Sequence, residues 1–335
     1  MKALVAGLGS MGKRRVRNLQ ALGVEQVVGF DRRADRREEA GARYGIQLVE
    51  SFDQGLAQKP DVVLISLPPD LHVSFARRSV SAGIPFFSEA SVVLDGMADL
   101  LADVRAAGVV AFPSCTMRYF PGPRTLKSIC RDGRIGAPLA WQYQSGQYLP
   151  DWHPWESIQD FYVSNPPTGG CREIVPFELC WLTEVFGPVA SLQCQKAKLT
   201  DLPAPIDDIY QLQVEHANGV LGQLTVDVIS RVPVRLARIL GTQGTVEWDG
   251  DRNLVRLFNA ADGAWKEISF EEGTKEKGYI NPEEPYIAEI ADFLACVREG
   301  RQPVYSLAED EKILNVLYAA DDHAKGGVAR ASISE

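Results

Sequence analysis

Three groups of residues in this chain have types and spacings that can do chemistry. The first is Gly7-Leu8-Gly9-Ser10-Met11-Gly12, set between an apolar run at 2–6 and a helix-forming stretch at 13–22 that Gly23 stops. Between a strand and a helix, the first glycine permits a tight turn. The second lets backbone approach a pyrophosphate, and the third lets helix and strand pack closely. The helix N-terminus then offers unpaired N–H groups to the anion. The second group is Asp31, which ends an apolar run at 26–30 and stands nineteen residues beyond Gly12. A carboxylate there accepts hydrogen bonds from adenosine ribose hydroxyls and opposes a 2′-phosphate, which predicts NAD. Arg32 and Arg33 follow directly and offer that phosphate a cation, so NADP stays open, and the structural alternative for Asp31 is a solvated loop acid. The third group is Tyr148, Asp151, Trp152 and His153, lying within six residues of one another. It brings a phenol and a carboxylate beside an imidazole, the side chain that titrates at about pH 6.5 when unperturbed.

Other chemistries are poorly supplied. The chain has only four histidines (His72, His153, His216 and His323), and its six cysteines form no CxxC pair and have no histidine at ligand spacing. No metal site is expected, and the thiols read as reduced and mostly buried. Acidic residues outnumber Lys and Arg by 44 to 35, a balance that repels polyphosphate, so no nucleic-acid partner is expected. No apolar run approaches the roughly 20 residues that span a bilayer, and Met1-Lys2 leads into a strand without a signal-like stretch, so no membrane partner and a cytoplasmic location are expected.

The elements that must position these groups follow from the punctuation of the chain. A nearly continuous apolar run at 61–66 has the pattern of a parallel strand covered on both faces. Helical periods at 70–82 and 94–107 alternate with strands at 84–88 and 109–112, which gives a doubly wound parallel sheet of the Rossmann type. Ligands of such sheets bind outside the strand carboxyl ends. The loops at 7–12, 31–33, 66–72, 88–91 and 114–119 are therefore expected to line one crevice, with Ser66, Leu67, Pro68, His72 and Glu89 joining the glycine loop, Asp31 and Arg32 around the cofactor. From 139 onward the pattern turns to extended segments at 139–145, 189–196, 208–216, 220–229, 235–240, 244–248 and 254–258, several separated by turn signals such as Asn218-Gly219 and Asp249-Gly250. An open, mostly antiparallel sheet flanked by helices at 176–186, 286–298 and 307–324 is predicted. The charged stretch 271–285, which contains Gly273 and Gly278, reads as a mobile loop or a partly disordered segment. A length of 335 with 45% hydrophobic residues suits two cores. The division expected is 1–118 for dinucleotide binding and 119–335 for substrate and oligomerisation, with the final helix near the junction.

Five motifs in order make the chain resemble the Gfo/Idh/MocA oxidoreductase family over most of its length. They are the glycine loop, Pro68-Pro69-Asp70-Leu71-His72, Ala82-Gly83-Ile84-Pro85, Met117-Arg118-Tyr119 with Pro121, and Gly133-Arg134-Ile135-Gly136. The resemblance implies a Rossmann domain joined to an open-sheet domain, hydride transfer on sugars or polyols, and pairing into a homodimer or homotetramer. The segment 146–155 is similar to a branch associated with surface-sugar and nonulosonate pathways. Two departures matter. The family's Glu-Lys-Pro, whose lysine acts on the reacting hydroxyl, is Glu89-Ala90-Ser91 here; its Asp and His, four residues apart, fall on Glu173 and Phe177.

Moving a hydride from an alcohol still requires a group to take the hydroxyl proton. His153 is the substitute expected, with substrate contact or plain packing as its alternatives. Tyr148 is a second acid, and Asp151 orients His153 or a sugar hydroxyl beside Trp152. Arg118 is expected to contact substrate or phosphate. Arg172 and Glu173 stand where the resemblance puts the catalytic turn, Arg172 as a substrate residue and Glu173 as a catalytic one, against the alternative of a buried ion pair and helix-dipole support. Glu178 is either a core-edge acid or a substrate ligand, and the cluster Trp141, Trp152, Trp155 and Tyr143 either stacks a sugar ring or serves an interface or the core. The function expected is NAD(H)-dependent oxidation or reduction of a sugar, sugar nucleotide or related polyhydroxylated acid. The rivals are a noncatalytic dinucleotide sensor or scaffold, and a redox-neutral lyase, hydrolase or epimerase that keeps its NAD.

Overall fold

The computed structural model describes residues 1–152 and 157–326, and the chain divides into two compact units, Met1–Tyr119 with Gly273–Lys312 and Phe120–Glu272 with Ile313–Glu335. The first unit is built on a six-stranded sheet of β1 (Lys2–Ala6), β2 (Gln26–Phe30), β3 (Gln47–Val49), β4 (Val62–Ile65), β5 (Phe86–Ser88) and β6 (Ala111–Pro113). Every pairing is parallel, and the order is β3-β2-β1-β4-β5-β6. Ala3 to Ala6 and Val62 to Ile65 are without solvent exposure, as strands covered by helices on both faces must be. The strand order reverses between β1 and β4, which opens a crevice beyond their carboxyl ends. Gly7 leaves β1 there, its N–H donating to the Phe30 carbonyl at 2.8 Å, and the N–H of Ser66, just past β4, donates to the Ala6 carbonyl at 2.7 Å.

A second domain running unbroken from 119 is not what the structure has, because Gly273–Lys312 returns to the first unit. The return is held by charges on the helix Ser10–Ala21. Arg14 and Arg17 pair with Glu283 at 3.1 and 2.9 Å, Arg15 pairs with Glu289 at 3.0 Å, and the Tyr279 hydroxyl donates to the Ser10 carbonyl at 2.7 Å. The stretch expected to be a loose loop is thereby tied to the start of that helix. Its composition alone is that of a loop, and its partners lie 269 residues earlier.

The second unit carries β7 (Pro138–Tyr148), β8 (Val189–Ala197), β9 (Ile209–His216), β10 (Leu221–Asp227), β11 (Ile229–Gly241), β12 (Gly244–Asp249), β13 (Leu254–Asn259) and β14 (Ala264–Ser269). They form one sheet in the order β14-β13-β12-β11-β7-β10-β9-β8, antiparallel except for the parallel pair β7 and β10. One face is core. Tyr143 stacks on Trp248 with ring centres 6.0 Å apart, Trp181 meets both edge-on, and the Trp141 indole N–H donates to His216 at 3.0 Å. Of the aromatics weighed as sugar stackers, Trp141 and Tyr143 are thus core residues, and Trp155 lies outside the described residues.

The other face is polar. One registered row crosses all eight strands as Glu267, Arg256, Glu247, Arg238, Gln142, Gln223, Gln213 and Gln193. On the core side, the helix predicted from 176 starts six residues earlier, at Gly170, and runs to Phe186 with Pro176 inside it. Proline is a natural first-turn residue and costs a backbone hydrogen bond in a helix interior. Burial of Cys171, Ile174, Val175 and Leu179 offsets that cost, and Arg172 and Glu173 become first-turn residues of a long helix.

Candidate functional site

The glycine loop is a cradle that side chains would fill. Gly7 has φ +93°, and a Cβ on it would sit 2.2 Å from the Ser66 carbonyl oxygen; a Cβ on Gly12 would sit 1.8 Å from the Gly7 carbonyl oxygen. Gly9 differs, because a Cβ there would meet only the end of the flexible Arg36 side chain, at 3.3 Å. Gly7 and Gly12 are thus required by the fold, whereas Gly9 keeps the outer side of the loop open to backbone approach. Gly9 is also the N-cap of the helix Ser10–Ala21, with no side-chain cap and no acidic residue in the first turn, so its end N–H groups are left for an anion. The loop fits a dinucleotide pyrophosphate.

Asp31 is buried, and its carboxylate accepts the Leu8 N–H at 2.8 Å and the Arg33 N–H at 2.9 Å. It is not a solvated loop acid: it ties the glycine loop to the end of β2. Arg33 is engaged by Asp35 at 2.6 Å, Arg37 donates to the Asp31 carbonyl at 2.7 Å, and Arg32 is exposed.

The loops after β4, β5 and β6 are knitted by two groups that the sequence did not single out. Arg15 is fully buried; its Nε and Nη2 donate to Glu89 at 2.6 and 2.8 Å, and Nη2 also lies 3.0 Å from Glu289. Glu89 in turn accepts the Ser66 hydroxyl at 3.1 Å. Glu289 accepts from the Ser114 hydroxyl, the Cys115 N–H and the Thr116 hydroxyl at 3.0, 2.6 and 2.8 Å. The only signal in the sequence is an arginine on the apolar side of the first helix. His72 is buried, with Nε2 bonded to the Leu67 carbonyl at 2.7 Å, and burial lowers its pKa so that the ring stays neutral. It fixes the turn at Leu67 and Pro68. The Arg118 guanidinium lies over the Tyr305 ring at 4.5 Å.

In the second unit, the end of β7 and the start of the helix Gly170–Phe186 meet. A Cβ on Gly170 would lie 2.9 Å from Leu149, and the Tyr162 hydroxyl donates to Glu173 at 3.2 Å. Tyr148 is covered on one face by the Arg231 guanidinium, another residue that sequence reasoning missed. Asp151 is exposed, and the Trp152 indole N–H is buried without a hydrogen-bond partner among the described residues. His153 lies outside the described residues. Arg172 is turned inward, Nε donating to Asp321 and Nη1 to the Pro167 carbonyl, both at 2.8 Å, which is the ion-pair alternative. Glu178 is completely buried and accepts from Tyr143, Ser145 and Trp181 at 2.9, 2.9 and 3.1 Å, with Arg235 at 3.4 Å. It is therefore a core network acid.

Among the described residues no group of three or more His, Cys, Asp or Glu is arranged to hold a metal ion, and no helix is long and apolar enough to cross a membrane.

Comparison with known proteins agrees with this geometry. Residues 1–112 match the model of an oxidoreductase family with an NAD-binding Rossmann fold, and residues 124–247 match the GFO/IDH/MocA C-terminal domain. The chain is 23% identical to mouse (Mus musculus) trans-1,2-dihydrobenzene-1,2-diol dehydrogenase over 314 residues, 88% of this chain and 87% of that one. It is 31% identical to inositol 2-dehydrogenase of Ralstonia nicotianae over 144 residues, 40% of this chain and 42% of that one. Among solved structures, levoglucosan dehydrogenase in complex with NADH and levoglucosan superposes with a TM-score of 0.86 at 17% identity, covering 97% of each chain. An Agrobacterium radiobacter oxidoreductase in complex with NAD+, L-tartaric acid and magnesium superposes with a TM-score of 0.84 at 16% identity, covering 98% of this chain and 97% of that one.

Proposed function

The chain belongs to the Gfo/Idh/MocA family of NAD-binding oxidoreductases, and from that premise we propose that it transfers hydride between NAD(H) and a sugar, sugar nucleotide or related polyhydroxylated acid, without the family's usual lysine. The observation that carries this reading is the glycine cradle at the open end of the helix Ser10–Ala21, closed by Asp31. Relatives named as dehydrogenases of inositol and levoglucosan support a polyhydroxylated substrate.

When bound, NAD(H) would supply the hydride acceptor or donor, and the residues of this chain would supply the rest. The first-turn N–H groups and Gly9 would hold the pyrophosphate. Arg15 fixes the Glu89 carboxylate, which with Ser66 forms the polar floor after β4 and β5. Ala90 brings only a methyl group where the family's lysine stands, so the hydroxyl proton goes elsewhere. His153 takes it in this reading, with Asp151 orienting the ring or a substrate hydroxyl, Trp152 forming an apolar wall, Tyr148 as the second acid and Glu173 at the helix start. The protein works in the cytoplasm as a homodimer or homotetramer.

The test is direct. Purified protein is mixed with NADH or NAD and a panel of neutral and acidic polyols while nicotinamide absorbance is followed. His153→Ala should lower kcat by about 100-fold, remove the imidazole-like limb of the pH profile and leave NADH affinity unchanged. Full activity with an unchanged profile would transfer the role to Tyr148 or Glu173, and loss of substrate affinity alone would make His153 a binding residue. No turnover of any polyol by wild type would overturn the oxidoreductase reading in favour of a noncatalytic dinucleotide-binding protein.

A further inference from the structure

Four arginines, Arg32, Arg33, Arg36 and Arg37, follow Asp31 in the first unit, and the fold places them differently. Arg33 is engaged by Asp35 at 2.6 Å, and Arg37 donates to the carbonyls of Asp31 and Arg32 at 2.7 and 3.3 Å. Arg32 is exposed. Arg36, half-buried in the first turn of the helix Ala34–Tyr44, reaches back to the glycine loop. A Cβ on Gly9 would sit 3.3 Å from its Nη1 and 3.8 Å from its Cζ. Helix register puts it there. Lys13 pairs with Glu39 at 2.7 Å, and Arg17 donates to the Tyr44 hydroxyl at 3.2 Å. The helices Ser10–Ala21 and Ala34–Tyr44 therefore meet at steps of about one turn, and Gly9 with Arg36 is the next step toward their N-termini. A cation in a first helical turn works against the dipole of its own helix, so the place of this arginine is not accounted for by the helix that carries it.

We propose that Arg36 binds the pyrophosphate of NAD(H), adding a side-chain cation from the neighbouring helix to the backbone N–H groups of the glycine turn. The inference rests on the dinucleotide reading of that turn, and not on the substrate or on which group takes the hydroxyl proton. The helix Ser10–Ala21 brings no acid to its first turn and leaves its end N–H groups for an anion. A guanidinium beside them adds charge-assisted bonds to phosphate oxygens in a forked geometry that a lysine does not reproduce. Two phosphate positions could draw the cation. The pyrophosphate is favoured, because the bare backbone of the second glycine serves that group, whereas the 2′-phosphate of NADP would stand at the ribose, where the Asp31 carboxylate opposes it.

The experiment titrates full-length protein calorimetrically with NADH, NADPH, ADP-ribose and ADP, and with adenosine by displacement of NADH, so that no readout needs turnover. In Arg36→Ala, Kd should rise by about 10- to 100-fold for NADH, ADP-ribose and ADP alike, the range of bonds to a charged group. Adenosine has no phosphate, and its Kd should change by less than about 2-fold. NADPH should lose affinity by the same factor as NADH. Arg36→Lys should recover part of the loss, and Arg36→Gln, which keeps polar reach without charge, should bind as weakly as Arg36→Ala. The salt dependence of NADH binding should flatten in both neutral variants.

Thermal unfolding of each variant separates binding from folding; a Tm near that of wild type is expected, and Arg36→Lys and Arg36→Gln decide the question if the alanine variant loses its fold. Equal NADH affinity in wild type and the neutral variants overturns the proposal. So does a loss confined to NADPH, which would make Arg36 a reader of the 2′-phosphate, and so does an equal loss for adenosine, which would make it a platform for the adenine ring. A wild type that turns over no polyol but shows the expected losses leaves this contact standing while the proposed hydride transfer fails. A wild type that binds neither NADH nor ADP overturns both.

Discussion

Single acidic side chains are buried in the core of this protein, and each does something different. Glu178 is an acid with no solvent exposure whose two oxygens collect donors from β7, β11 and its own helix. Removing a buried, hydrogen-bonded charge strands its partners, at a cost of about 3–5 kcal/mol. Glu178→Ala is expected to show that loss in denaturant unfolding, while NADH affinity stays at the wild-type value. Asp310 acts with the opposite sign. Burial pushes its carboxyl up to about 7 from the ordinary 3.8, although the Tyr305 hydroxyl donates to it at 2.8 Å. The folded state therefore holds this proton more tightly than the unfolded chain. The associated stability is fully present below about pH 4 and is lost as pH rises through about 7, at about 1.4 kcal/mol per pH unit, several kcal/mol in all. Asp310→Asn should flatten the dependence of Tm on pH over that window and be more stable than wild type above it. An unchanged slope would show that the group does not titrate there.

At the scale of elements, the glycine loop divides its labour between folding and binding. Gly12 faces backbone 1.8 Å from where a Cβ would stand, and Gly9 faces only a flexible side chain end. Gly12→Ala should therefore destabilise the first unit by about 1–3 kcal/mol or more through overpacking. Gly9→Val should fold with a near-native Tm yet lose NADH binding, because its bulk occupies the side a pyrophosphate approaches. Thermal unfolding and NADH titration on the two variants separate the roles, and equal affinity in Gly9→Val and wild type would deny the loop its function. The 273–283 segment shows the same economy: Tyr279 reaches the Ser10 carbonyl, and Arg14 and Arg17 lie 4.6 and 4.5 Å over its ring.

For the whole molecule, the polar face of the eight-stranded sheet is the surface whose chemistry suits a second copy. Its charged half alternates Glu267, Arg256, Glu247 and Arg238, a row that complements itself about a two-fold axis. Leu221, Leu236, Leu240 and Trp265 lie on the same face and are 40–57% exposed, an apolar component that a lone protomer leaves wet. Light scattering should give a mass of two or four chains. Leu221→Arg, a change at an exposed strand position, should shift the mass toward one chain without lowering helix or strand content. A wild-type protein that stays monomeric at high concentration would remove this assembly.

By itself the sequence determined the elements whose signals are local. Gly7, Gly9 and Gly12 between an apolar strand and a helix, Asp31 at the end of the next strand, and the extended segments with their turn signals beyond 139 each declare their structure within about ten residues, because sterics and turn chemistry act at that range. The family resemblance and the missing lysine at Ala90 are also legible there. Long-range partners decided the rest. Nothing near Arg15 announces Glu89 and Glu289, nothing near 273–283 announces the first helix, and Arg172 takes Asp321 from the last helix at a separation of 149 residues. A charged side chain has the same local appearance whether it meets substrate, water or a buried counter-charge, and only the folded chain brings the counter-charge to it.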